Sequence, residues 1–138
     1  MRVNWLAIVV SAIVFYLFGW LWYTLLGAQW LDAMGTTREA MMAQASNPYP
    51  YIVSFVAAVF LAYGIARVLS WHAPVSAVRG AFIGFSMSFL FIVMALWITY
   101  AYEHRAIMLA AINCGYFCIG MTIQGAILGA WKSKTAAA

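Results

Sequence analysis

The chain has 138 residues, of which 67% are hydrophobic and only 7% are charged. Soluble domains carry about a quarter charged residues, so this composition excludes an ordinary soluble domain and is typical of a protein that crosses a membrane several times. The formal net charge is +4, but the basic residues form no patch or run, and we therefore do not expect nucleic acid as a partner.

Four long apolar runs follow one another along the chain, and each exceeds the about 20 residues that a membrane-spanning helix needs. Each span must be a helix, because an open strand edge in lipid would leave backbone N–H and C=O groups without partners. We therefore predict an all-α fold, an integral membrane four-helix bundle in contact with the lipid bilayer. One domain should cover residues 1–138, with spans at roughly 4–28, 51–70, 80–101 and 107–131.

The first run contains a dense aromatic stretch, FGWLWYTLLGAQW, at residues 18–30. The run is far longer than the roughly 7–15 apolar residues of a secretory signal, so we expect a retained helix. Trp and Tyr favour the interface between lipid and water, and this preference explains most of the stretch. In addition, Gly19 leaves a notch between aromatic side chains on one helix face, which another helix or a flat ligand could enter. The candidate contact residues are Tyr16, Gly19, Trp22, Tyr23 and Trp30.

The connection after the first run carries the pattern Thr36-Thr37-Arg38-Glu39. A Thr followed three residues later by Glu can satisfy the first free N–H groups of a helix. We therefore predict a short interfacial helix with Thr36 as its N-cap, ending before Asn47-Pro48.

Small residues recur at heptad spacing along the fourth run, the pattern of a close contact between helices in lipid. On the opposite face, Asn113 and Gln124 should have hydrogen-bond partners, because unpaired polar groups in hydrocarbon are costly. The small residues form a seam of Ala111, Gly115, Cys118, Thr122, Gly125 and Gly129, and the third run offers Gly80, Gly84, Ser88 and Ala95 to match it. The candidate contacts with a partner or ligand are Asn113, Gly115, Gln124, Gly125 and Gly129. A third, purely apolar face, expected to meet lipid, consists of Met108, Ile112, Ile119 and Ile123.

Residues that often form catalytic or metal sites occur here without the neighbours that such sites need. Cys114 and Cys118 are four residues apart, which is not the C-x-x-C spacing of a disulfide oxidoreductase and suits no disulfide. His72 and His104 are predicted on opposite sides of the membrane, so they cannot share a haem. No ionisable residue lies near the middle of a span, which argues against an ion-coupled transporter. We expect no catalytic residue, no metal and no cofactor.

The outer rim of the bundle is the only place where acid–base or metal chemistry could assemble. The simpler interpretation is that its polar side chains are solvated by water or cap a helix. These residues are Asp32, Arg38, Glu39, Glu103, His104 and Arg105.

The distribution of basic residues indicates the orientation, since Lys and Arg are more frequent in cytoplasmic connections. Arg38 and Arg105 fall on one side of the predicted bundle, and five basic residues fall on the side of the termini. We therefore expect both termini in the cytoplasm. The five residues are Arg2, Arg67, Arg79, Lys132 and Lys134.

Three parts of the chain together resemble one family. They are Asn4-Trp5-Leu6-Ala7-Ile8, then Gly19-x-x-Trp22-Tyr23 with Gly27 and Trp30, and finally Tyr102-Glu103-x-Arg105 with Ile112-Asn113-x-Gly115-Tyr116 and Gly125-Ala126-Ile127-Leu128-Gly129-Ala130-Trp131. They resemble the small bacterial four-span membrane proteins catalogued as domain of unknown function seventeen-sixty-one. Where that family usually has Pro after the Trp-Tyr pair, this chain has Thr24. The resemblance implies a bacterial integral membrane protein and implies no activity. We expect a multi-pass protein of the bacterial inner (plasma) membrane.

Three functional hypotheses follow from these patterns. The first is a non-enzymatic membrane protein that acts by helix association, as a homo-oligomer or as an accessory subunit of a larger membrane complex. The second is a binder or carrier of a lipid-like or planar hydrophobic ligand, which would use the Gly19 notch and the Asn113/Gln124 face. The third is an enzyme or metal site in the outer rim.

Overall fold

The computed structural model describes residues 3–72 and 75–131. These residues form helices and no strand, which confirms the predicted all-α fold. Four stretches are long and apolar enough to cross a membrane: Trp5–Leu25, Tyr49–Leu69, Ala77–Tyr102 and Ile107–Ala130. Three of the basic residues that underlie the predicted orientation, Arg2, Lys132 and Lys134, lie outside the described residues.

The first span, α1 (Trp5–Leu25), leads into two short helices, α2 (Gly27–Met34) and α3 (Arg38–Ala43). The second span is α4 (Tyr49–Leu69). The third span consists of α5 (Ala77–Met87), a π-helical segment (Ser88–Val93) and α6 (Met94–Tyr102), and the fourth is α7 (Ile107–Ala130). We call the end of the bundle with the two short helices the α2/α3 end, and the opposite end the terminal end.

The predicted short helix exists, but its cap differs by one residue. Thr37, and not Thr36, is the N-cap of α3, and its hydroxyl accepts a hydrogen bond from the Ala40 N–H at 3.3 Å. Thr36 is already used at the end of α2, where its N–H donates to the Leu31 carbonyl at 3.1 Å beside the left-handed Gly35. This is the Schellman arrangement that closes a helix, so the predicted N-cap at Thr36 is wrong.

The π-helical segment changes the face that the third span presents to the bundle. A π turn closes on the fifth residue instead of the fourth, so it inserts about one residue, or about 100° of rotation. Gly80, Gly84 and Ser88 are buried up to this point, whereas Ala95 is exposed beyond it. The prediction that Ala95 continues the small face is therefore wrong, because it assumed a regular α-helix.

The backbones of α5 and α7 are in direct contact. A Cβ atom added to Gly129 would lie 3.0 Å from the Gly80 Cα, and one added to Gly84 would lie 2.9 Å from the Met121 carbonyl carbon. A side chain at either position would have to displace a helix backbone, so only glycine permits this approach. The small seam of the fourth run thus makes its closest contact with the third span of the same chain.

The core of the bundle is shared by three helices, α1, α4 and α7. Its fully enclosed members include Ile8 and Ala12 from α1, Ala62 and Ile65 from α4, and Met121 from α7. The face of α7 that was expected to meet lipid is only partly exposed. Ile119 is exposed as predicted, but Ile112 is buried, and its carbonyl accepts a hydrogen bond from the Trp22 indole N–H of α1 at 3.1 Å.

The half of α4 nearest α3 packs differently from the rest of that helix. Every residue from Tyr49 to Ala57 is exposed, whereas Ala58 is buried. The core therefore stops short of the α2/α3 end, and space remains there between α1, α4 and α7.

Candidate functional site

A cavity of about 530 Å³ occupies the space between the spans at the α2/α3 end. Five of the predicted contact residues line it together: Tyr16, Gly19, Tyr23, Trp30 and Asn113. The other lining residues are Trp20, Thr24, Tyr51, Ser54, Tyr100, Tyr116 and Phe117. We call this space the aromatic cavity, because eight of its twelve lining residues are Tyr, Trp or Phe.

The Gly19 notch is filled from within the chain by Tyr116 of α7. A Cβ atom at Gly19 would lie 3.0 Å from both the Cε2 and the hydroxyl oxygen of Tyr116. The Tyr116 ring also packs against Phe15 and Tyr23, with ring centroids 4.9 Å and 5.3 Å apart. Aromatic pairs at such distances stabilise each other beyond simple burial. The Tyr116 ring therefore occupies the notch and forms a rigid wall of the cavity. The cavity itself lies beyond this ring.

A chain of hydrogen bonds runs through the wall of the cavity. The Tyr23 hydroxyl donates to the Asn113 Oδ1 at 2.8 Å, and the Asn113 Nδ2 donates to the Tyr100 hydroxyl oxygen at 2.9 Å. The amide is thus paired on both sides, as its position in a span requires. Among the described residues no acceptor is found for the Tyr100 hydroxyl proton, so this proton can be donated to a ligand.

Tyr100 reaches Asn113 because of the π-helical segment. The segment rotates α6 relative to α5, and with it Tyr100, which is half-buried while its neighbour Thr99 is exposed. Sequence reasoning singled out neither Tyr100 nor Tyr116 as a site residue. Tyr116 could have been found, since it lies three residues after Asn113 on the same helix face, whereas no local signal reveals the π turn.

Trp30 brings a second polar group to the cavity from α2. Its ring packs edge-on against Tyr23, with centroids 5.3 Å apart and planes at 65°. The Trp30 Nε1 is enclosed by protein, yet it finds no acceptor within residues 3–72 and 75–131. Buried N–H groups are nearly always paired in native structures, so this donor needs an acceptor that the described chain does not supply.

A smaller cavity of about 320 Å³ adjoins the aromatic cavity. The two share Tyr23, Thr24, Trp30 and Tyr51. The smaller space continues towards α3, which contributes Arg38, Met41 and Met42, and we call it the Arg38 cavity. It adds a positive charge to one end of an otherwise aromatic space.

The other five predicted contact residues lie outside both cavities and hold the bundle together. Trp22 covers Gly115, where an added Cβ would lie 3.1 Å from the indole ring. Gln124 is fully buried, and its Nε2 donates to the Ala58 carbonyl of α4 at 3.0 Å, while its Oε1 has no donor within the described chain. Gly125 and Gly129 face α5.

Four of the six rim residues border a separate, open depression of about 570 Å³ at the same end of the bundle: Asp32, Glu103, His104 and Arg105. Arg105 pairs with Glu103 there at 3.1 Å, and about half of each side chain is exposed. Nowhere in the described residues do three His, Cys, Asp or Glu side chains come together. An exposed ion pair of this kind contributes about 0–1 kcal/mol to stability.

These features define a class: an all-helical, multi-pass membrane protein with an aromatic cavity among its spans. The chain belongs to the family described as Protein of unknown function (DUF1761), whose model matches residues 6–129. The family resemblance seen in the sequence is thereby confirmed. Neither the curated proteins nor the solved structures contain a match to the chain.

Proposed function

We propose that this membrane protein binds a hydrophobic ligand, lipid-like or planar, in the aromatic cavity. The observation that carries the proposal is the convergence of five predicted contact residues, from α1, α2 and α7, on one cavity of about 530 Å³. A cavity of this size lies within the range of small-molecule sites, which are largely apolar with a few polar groups that fix orientation.

The polar groups of the wall determine which ligand is retained. Lipid tails surrounding the protein are as apolar as the cavity, so burial of apolar surface gives little net preference for one hydrophobic molecule over another. Hydrogen bonds do give a preference between ligands, because the surrounding membrane lipids offer a ligand few hydrogen-bond donors at this depth. The Trp30 indole N–H supplies such a donor, and the rigid rings of Tyr23 and Tyr116 fix the shape.

Helix association is a second candidate, favoured by one observation. The exposed half of α4, from Tyr49 to Ala57, carries large apolar side chains such as Ile52 and Phe55. A helix from a second copy, or from a larger membrane complex, would cover this surface and close the cavity. The seam residues Gly125 and Gly129 are already in contact with α5, so α4 is the surface that such a partner would use.

One purification separates the two candidates. The protein is isolated in a mild detergent, and co-purifying material is identified by mass spectrometry at equal expression. Tyr23→Phe removes only the hydroxyl that pairs with Asn113 and should reduce the amount of a bound small molecule. Tyr63→Phe, on a ring that stacks with Trp5 instead, is the matched control and should have no effect. A co-purifying protein that Tyr23→Phe leaves in place would contradict ligand binding and favour association.

We further propose that the protein resides in a bacterial inner membrane with both termini in the cytoplasm, so that the α2/α3 end faces outside. The basic residues Arg67 and Arg79 near the terminal end support this orientation. A reporter that is active only outside the cytoplasm, fused after Ala43, should be active, and the same reporter fused to Ala138 should be silent. The reverse pattern would show that the cavity faces the cytoplasm.

A further inference from the structure

We propose that the ligand is an anionic phospholipid whose phosphate binds Arg38 and whose ester carbonyl accepts a hydrogen bond from Trp30. This assignment rests on the proposed ligand binding and adds the chemical class of the ligand. It follows from the positions of an unpaired buried donor and a single positive charge along one continuous space.

The two cavities form one path through the α2/α3 end. Tyr23, Thr24, Trp30 and Tyr51 line both of them, so a molecule that passes these four side chains occupies both. The path begins at Gly19, among tyrosine rings within the first span, and ends at Arg38 on α3, its only charged side chain among the described residues. Its polarity therefore rises from one end to the other, which suits an amphipathic molecule with its tail at Gly19 and its headgroup at Arg38.

Trp30 lies at the junction, where a lipid changes from tail to headgroup. Its Nε1 is buried and has no acceptor within the described chain, and a buried donor that remains unpaired is costly. The ester carbonyls of a phospholipid are acceptors located just below the headgroup. A hydrocarbon or a simple planar ring system would leave the donor unpaired, so the unpaired indole N–H favours a ligand with carbonyl oxygens.

Arg38 determines the charge of the headgroup. It is the only charged side chain among the described residues that line either cavity. Its neighbour Glu39 lines neither, and the pKa of the Glu39 carboxyl is lowered by hydrogen bonds from its own backbone N–H and from Thr37, with Arg38 adding a smaller effect. The guanidinium has a planar set of donors that matches a phosphate group. Arg105, by contrast, is paired with Glu103.

The aromatic cavity distinguishes a phospholipid from a soluble phosphate compound. A soluble anion could occupy the site at Arg38 but would leave about 530 Å³ of aromatic space without a ligand. An acyl chain fills that space and tethers the headgroup to it. A headgroup analogue without chains should therefore bind far more weakly than the intact lipid.

Native mass spectrometry of the intact, delipidated protein in a mild detergent tests this assignment. Dissociation constants are measured for dioleoyl phosphatidylglycerol, which is anionic, and for dioleoyl phosphatidylcholine, which is zwitterionic. We expect phosphatidylglycerol to bind about fivefold more tightly, the ratio equivalent to about 1 kcal/mol for one basic side chain at an anionic membrane surface. Arg38→Gln should abolish the preference, and Arg38→Lys should keep most of it.

Matched variants separate the two contacts. Arg105→Gln makes the same change in net charge at the same end of the bundle and should leave the fivefold preference intact. Trp30→Phe keeps an aromatic ring without the N–H and should weaken both lipids equally, since both carry ester carbonyls. Trp5→Phe, on an exposed ring of α1 outside both cavities, should weaken neither.

Each remaining outcome has a distinct meaning. Equal binding of the two lipids, or a preference that persists in Arg38→Gln, overturns the anionic assignment and leaves the proposed ligand binding in place. Displacement of the lipid by glycerol phosphate overturns it in favour of a soluble anion. If the protein binds neither lipid, the proposed binding of a lipid-like ligand fails as well.

Discussion

Replacing Gly125 with alanine tests the contact between α5 and α7 by the addition of a single carbon atom. The new Cβ would lie 2.7 Å from the Gly80 carbonyl carbon and 3.2 Å from the Gly84 nitrogen. Both are backbone atoms, so no change of rotamer can move them away. The Gly80 carbonyl oxygen lies closer still, and since ordinary contact begins at 3.4 Å, α5 must move by more than the about 0.7 Å that the carbonyl carbon alone requires.

The size of the effect follows from two opposing contributions. Over-packing of a close contact costs about 1–3 kcal/mol, and a gap of about 0.5–1 Å along the remaining interface loses a quarter to a half of its dispersion attraction. Alanine is preferred over glycine inside a helix by up to about 1 kcal/mol. We therefore expect the free energy of unfolding of Gly125→Ala to fall by about 1–2 kcal/mol.

Unfolding in mixed micelles, followed by circular dichroism as a denaturing detergent is added, measures this change. Gly64→Ala is the control, because a Cβ at Gly64 in α4 would meet only the Met87 Cε, at an ordinary 3.7 Å. That variant should be as stable as the wild type or slightly more stable. If Gly125→Ala and Gly64→Ala unfold alike, the close backbone contact does not exist in the membrane protein.

Three further predictions concern the polar chain, the π-helical segment and the rim. Asn113→Leu should lower the free energy of unfolding by about 0.6 kcal/mol and by no more than about 1.7 kcal/mol, the range for hydrogen bonds between spans; unchanged stability in the same micelle assay would exclude the bonds to Tyr23 and Tyr100. Deletion of Leu90 should remove the extra residue of the π turn and give a regular α-helix in which Tyr100 keeps its face towards Asn113, so a double-mutant cycle between these two residues should give the same coupling energy in the deletion variant as in the full-length chain. A coupling near zero in the deletion variant would contradict this role of the π turn. Glu103→Gln breaks only the exposed pair with Arg105 and should change stability by about 0–1 kcal/mol with no effect on bound lipid. Loss of the ligand in this variant would show that the rim residues form the binding site.

The candidate site was predictable only in part. Tyr16, Gly19, Tyr23 and Trp30 share a face of one continuous helical pattern, and Asn113 is conspicuous as an amide in a span, so periodicity and composition identify them individually. That they line one cavity depends on how far α4 stands from α1 and α7. Hydropathy carries no information about that distance, because an exposed apolar residue and a buried one read alike in a membrane span.

The sequence by itself determined the elements of this protein: four spans, a short helix before the second span, and small residues where two spans approach closely. Each of these depends on the length of an apolar run or on spacing within one helix, which are local properties. Only the tertiary structure decided that Trp22 donates to the Ile112 carbonyl and that Tyr100 meets Asn113. These pairings depend on the rotation and separation of whole helices, which are set by packing between residues far apart in the chain.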